Sequence, residues 1–147
     1  MLTPEINILA ILAAAIIPNA FGALFYGVLF GKTWLHSFGK TEEEMKGNEA
    51  ITYGLAFVMS FIVAFFLRFV IGMGHKTVNE AGELIIASHE TFGHGAFHGV
   101  MMCMGFVVPV IVSLGLFHKA TAKNILLNVV FWAICFALMG GIVDVWQ

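Results

Sequence analysis

Four long apolar runs, over about residues 6–30, 51–73, 90–117 and 124–146, govern what this chain can fold into. At about 1.5 Å per helical residue, each can cross a hydrocarbon layer of about 30 Å. In lipid, every backbone N–H and C=O must be satisfied inside the segment, which for separate runs of this length means an α-helix. The composition agrees. Of 147 residues, 60% are hydrophobic and 11% charged, with a mean hydropathy of +0.94; soluble domains hold about 45–50% and about 25%. The expected fold is all-α: a single integral membrane domain over residues 1–147, a four-helix bundle made of two transmembrane hairpins. A net charge of -2 gives no nucleic-acid footprint.

The first run lacks the basic lead of a signal peptide and is too long for its apolar core, so it is expected to be a membrane span. Pro18-Asn19 interrupts it near mid-membrane. The proline frees a carbonyl, which predicts a kink, and Asn19 can satisfy either that carbonyl or a neighbouring helix. Residues 31–48 form a polar loop, with Trp34 at the level of an interfacial aromatic belt. Within it, Thr41 followed by Glu44 fits a capping box, so a short surface helix is expected to start there. Residues 77–88 set Glu80 and Glu83 against Leu84, Ile85 and Ile86, which predicts a short interfacial helix between spans two and three. Cys103 and Cys135 lie mid-run and read as small buried hydrophobes.

Basic residues set orientation. The first and third loops carry Lys32, Lys40, Lys46, Lys119 and Lys123; the opposite side has Arg68 and Lys76. The first and third loops are therefore expected in the cytoplasm and both termini outside. Arg68 and Asp144 then fall near the outer ends of spans two and four. A lone charge in hydrocarbon is costly, so the two are expected to form a structural ion pair.

The densest polar stretch is residues 89–99, His-Glu-Thr-Phe-Gly-His-Gly-Ala-Phe-His-Gly, at the mouth of the third run. With about 100° per residue and Glu90 at zero, His94 falls near ~40°, His98 near ~80°, Met101 near ~20° and Met102 near ~120°. Glu90, His94, His98 and one of the two methionines would share a stripe, with His89 off it. Three uses compete. One is a layer of interhelical hydrogen bonds, with Glu90 capping the helix. A second is a metal site: Glu90, His94 and His98 suit zinc, and Met101 or Met102 would favour copper. A third is a proton or cation path, since histidine titrates near neutral pH. A long path is opposed by residues 101–112, which are nearly all apolar. Haem would need a second histidine at matching depth, and the other runs offer none there. His89-Glu90 begins like a zinc-protease motif, but His94 comes one residue late. No catalytic constellation stands out.

Small residues mark close helix contacts: Gly95 with Gly99, Ala133 and Ala137 with Gly141, and Gly22 and Gly27. Such seams can join helices of one chain or of several. The segment Phe21-Gly-Ala-Leu-Phe25-Tyr26-Gly-Val28-Leu-Phe30-Gly31-Lys32-Thr-Trp34 resembles the opening signature of a family of small bacterial membrane proteins known as domain of unknown function 1761. Phe25 stands where that family usually has tryptophan, and Val28 where proline is common. A glycine-punctuated third run, Leu116-Phe117, and Gly140-Gly141 with Trp146 fit the later pattern. The resemblance implies four membrane helices in a bacterial inner membrane and no established activity. The expectation is a non-enzymatic membrane protein in contact with lipids, working as a homo-oligomer or with other membrane subunits. The alternatives are a cation, proton or metal-ion transporter using Glu90, His94 and His98, and a membrane metalloprotein.

Overall fold

A computed structural model describes residues 6–74, 76–86 and 90–146. Among the described residues, four helical stretches are long and apolar enough to cross a membrane: Ile8–Leu29, Glu49–Met73, Phe92–Phe117 and Ala122–Val145. Each begins at a side chain that caps exposed backbone donors. Asn7 accepts from the N–H groups of Leu9 and Ala10, Asn48 from Ile51, Thr91 from His94, and Thr121 from Asn124. The starts differ from the sequence expectation by two residues because these caps, more than the apolar pattern, set them.

The first span is α1 (Ile8–Gly22) followed by a π-helical segment, Ala23–Leu29. Pro18 lies buried inside α1. Asn19 donates to the Tyr53 carbonyl at 3.1 Å, so it serves the neighbouring helix. The loop that follows holds two helices, α2 (Gly31–Phe38) and α3 (Glu42–Met45). Only α3 was expected. Its capping box is in place: Glu44 N–H donates to the Thr41 hydroxyl, and Thr41 N–H donates to the Glu44 carboxylate. The backbone and hydroxyl donors of Thr41 hold that carboxylate below its usual range. The cap is therefore intact at neutral pH and lost as pH falls through the lowered value. Helix α2 ends at Gly39, whose φ of 65° is the left-handed turn that suits glycine.

The second span is α4 (Glu49–Gly74). After it, the described residues do not form the expected interfacial helix. Strands β1 (Lys76–Val78) and β2 (Leu84–Ile86) pair antiparallel instead, Thr77 opposite Ile85. Turn chemistry overrides the amphipathic pattern here. Asn79 Oδ1 accepts from the N–H groups of Ala81 and Glu83, and Gly82 takes a φ of 79°. The apolar residues 84–86 are contiguous, as in a strand, with no spacing at helical intervals.

The third span is α5 (Phe92–Met102), a second π segment (Cys103–Val107) and α6 (Val108–Phe117). Pro109 sits in the first turn of α6, where its missing N–H is tolerated, and the wide turn before it relieves the clash of its ring with a preceding carbonyl. The fourth span, α7 (Ala122–Val145), is the hub and packs against α1, α2, α4, α5 and α6. Ile11, Ala14 and Ala15 of α1, Leu67 and Ile71 of α4, and Phe131, Cys135, Met139 and Val143 of α7 form the core. Cys103 joins them; both cysteines are buried and free.

The closest approach is between α5 and α7. A Cβ at Gly95 would strike the Gly140 carbonyl, and one at Gly99 would strike the Phe136 carbonyl. The seam read from Gly95 and Gly99 thus closes within the chain, with Phe136 and Gly140 as its mates. Gly141 lies under the Phe92 ring. Because the obstructing atoms are backbone, Gly99→Leu should separate α5 from α7 and cost more than the about 1–3 kcal/mol of ordinary overpacking. Unfolding in mixed micelles measures it. At the other end, Lys119 closes α6 with a φ of 53°. Lys119→Gly relieves that left-handed strain and should add about 0.5–1 kcal/mol in the same assay.

Candidate functional site

The glycine seam lets α5 and α7 touch backbone to backbone, and this brings side chains beside the seam into contact. Asp144, one helical turn beyond Gly140, is wholly buried. His94 Nδ1 lies 2.8 Å from Asp144 Oδ2. One turn further along α5, His98 Nε2 lies 3.0 Å from His94 Nε2. The two rings meet edge to face, with centroids 4.4 Å apart. His98–His94–Asp144 is therefore a continuous hydrogen-bonded chain. Arg68 of α4, 2% exposed, completes the cluster. Asp144 is the charge that acts on it most strongly, and Glu90 is next.

The chain can hold a proton in more than one place. With a neutral pair, His94 Nδ1–H donates to Asp144 while His94 Nε2 accepts from His98 Nε2–H. A proton arriving at His98 Nδ1 lets His98 pass its Nε2 proton to His94, and the Nδ1 proton of His94 then moves toward Asp144. His94 is 27% exposed and Asp144 not at all, so the histidines form the accessible side of the chain and the carboxylate its enclosed side.

The sequence stripe is corrected in one respect. Glu90 is exposed and precedes the helix, because Thr91 is the residue that caps α5. The carboxylate on His94 is Asp144, from a different span. Met101 is exposed, and Met102 packs against the apolar core. His89 lies outside the described residues. Among the described residues, no group of three His, Cys, Asp or Glu side chains is gathered closely enough to hold a metal ion. His94 and His98 do come together, and Glu90 does not join them as a ligand set.

A second polar layer sits at the opposite end of the bundle. Tyr26 Oη donates to Asn128 Oδ1 at 3.0 Å. Asn128 Nδ2 donates to the backbone carbonyl and side-chain oxygen of Asn124, at 2.9 and 3.2 Å. Asn124 Nδ2 donates to Ser37 Oγ at 2.9 Å, and Ser37 donates to the Trp34 carbonyl at 2.6 Å. Asn124 and Asn128, one turn apart in an apolar run, were the available signal. Between the two layers α7 presents Phe131, Cys135 and Met139 to the core.

Replacing Asp144 with leucine should cost about 3–5 kcal/mol, because Arg68 stays buried with less countercharge. Arg68→Leu with Asp144→Leu should cost less than the sum of the two single changes, since they share one interaction. Equilibrium unfolding of the four proteins in micelles reads this coupling.

No curated protein and no solved structure matches the chain. One family does, over residues 9–143, a stretch that takes in nearly all of the four spans and both histidines of the cluster. The match agrees with the aromatic and glycine signature around Tyr26, and the chain belongs to the family described as protein of unknown function (DUF1761).

Proposed function

We propose that this protein is an integral membrane subunit whose chemistry is reversible proton binding at the His98–His94–Asp144 chain. The observation that carries the reading is the unbroken pair of contacts, 3.0 Å and 2.8 Å, from a partly exposed histidine to a fully buried carboxylate. Buried ionisable groups in membrane helices are expensive, and sites for protons and ions are their common use. Arg68 keeps the cluster near charge balance and so limits that expense.

A conducting wire through a single copy is disfavoured. From Asp144 to Asn128 is about 24 Å along α7 at ~1.5 Å per residue, and the core side chains between are Phe131, Cys135, Met139 and Val143. Proton binding at one end, acting as a switch on helix packing, fits better than passage. The bias of basic residues toward the first and third loops supports our reading that the cluster faces the outer side of a bacterial inner membrane, with both termini outside. The third span supports work as an oligomer or in a larger assembly. Only 6% of its most apolar stretch is buried within the chain, against 28–39% for the other three spans. That leaves a long face for lipid, another copy or a different subunit.

The test is ¹⁵N NMR of histidine-labelled protein in bilayer discs, titrated over roughly pH 5–8, where histidine changes charge. His94→Gln should alter the titration of His98, and Asp144→Asn should alter that of His94. If each histidine titrates as it did before, the chain is a structural pin and the proposal fails. Zinc or copper held by the two converging Nε2 atoms is the competing reading. Stoichiometric metal in protein purified without chelator, lost in His94→Gln, would establish it over proton binding.

A further inference from the structure

The π segment of the first span has an effect of its own, away from the histidines. The backbone of α4 lies close to α1 and much less so to the π turns that follow it. The two spans diverge toward the first loop, and a crevice opens between them. Its inner part encloses about 540 Å³, with walls that include Pro18, Gly22, Met59, Phe131 and Trp132. Its outer part encloses about 620 Å³ and reaches Lys32, Lys46 and Glu49. Tyr26, Gly27, Trp34, Thr52 and Tyr53 line both, so the two parts adjoin along one cleft.

Dimensions and chemistry point to the same occupant. Ser60 marks the inner end and Glu49 the outer end. Along α4 that is about 16 Å at ~1.5 Å per residue, which fits within one leaflet counted with its headgroup layer, about half of 40–45 Å. The inner walls are apolar. Tyrosine and tryptophan stand at the waist, as at a membrane–water boundary. Two lysines and one carboxylate stand at the mouth, which favours an anion there. We infer that this cleft binds one anionic phospholipid, with an acyl chain between the first two spans and its phosphate between Lys32 and Lys46.

Gly27 gives a clean way to close the cleft. It lines both parts, and a Cβ there would meet nothing within 4 Å, so a larger side chain fills space without disturbing packing. The probe is native mass spectrometry of the protein released from bilayer discs of equal phosphatidylglycerol and phosphatidylcholine. Wild type should keep one phosphatidylglycerol, about tenfold or more in preference to phosphatidylcholine. Gly27→Leu should lose the bound lipid of either kind. Lys32→Gln with Lys46→Gln should keep a lipid but lose the preference. Leu126→Phe, on the exposed face of α7, should behave as wild type. Circular dichroism and size-exclusion profiles establish that each variant is folded. Equal retention of the two lipids by wild type, no retained lipid, or full retention by folded Gly27→Leu overturns the inference. None of these outcomes bears on proton binding at His94.

Discussion

The backbone contact between α5 and α7 decides most of what this bundle can do. Two helices surrounded by hydrocarbon gain little from hiding apolar surface, so they associate through close packing and polar contacts. Gly95, Gly99 and Gly140 remove the side chains that would hold the axes apart. His94 and Asp144 are beside that seam, and at a wider separation they would not reach each other. Packing and chemistry are thus coupled. The glycines set the distance, and the distance makes the hydrogen-bonded His98–His94–Asp144 chain.

Arg68 ties the cluster to the other half of the molecule. It comes from α4, which packs mainly on α1, while the histidines come from α5. Asp144, on the hub helix, interacts with both. A change of charge on the histidines is therefore felt through one carboxylate by two helix pairs. The opposite end is fixed differently: Tyr26, Asn128, Asn124 and Ser37 are neutral and use directional hydrogen bonds in series. One end of the bundle is built from ionisable side chains, and the other from neutral ones.

Much of this was legible in the sequence because membrane helices leave a strong signal. The four spans, the Thr41–Glu44 box and the His94–His98 spacing follow from length, capping chemistry and helical periodicity. So does the idea that Gly95 and Gly99 mark a close contact. What could not be read was the rotation of α7, whose apolar residues surround it nearly evenly. Without that rotation, Asp144 could be matched with Arg68 by depth alone and not with His94, and Glu90, nearer in sequence to the histidines, looked like their carboxylate. Thr91 carried the correcting signal, since a threonine before the first turn puts Glu90 outside the helix. The β-hairpin was masked by adjacent acidic and apolar residues, and α2 by the polar composition of its loop.

The second π segment has a consequence for the third span as a whole. A turn closed by i→i+5 hydrogen bonds holds one residue more than an α turn, so the helix beyond it is rotated by about one residue's worth of angle, roughly 100°. The helical register that aligns His94 with His98 therefore ends at Met102. Residues of α6 that a continuous helix would aim at α7 are turned aside, which agrees with the exposed Val110, Leu114 and Phe117. Cys103–Val107 thus sets which side chains α6 presents to the lipid; with α geometry there, α6 would be turned about its own axis and present a different set.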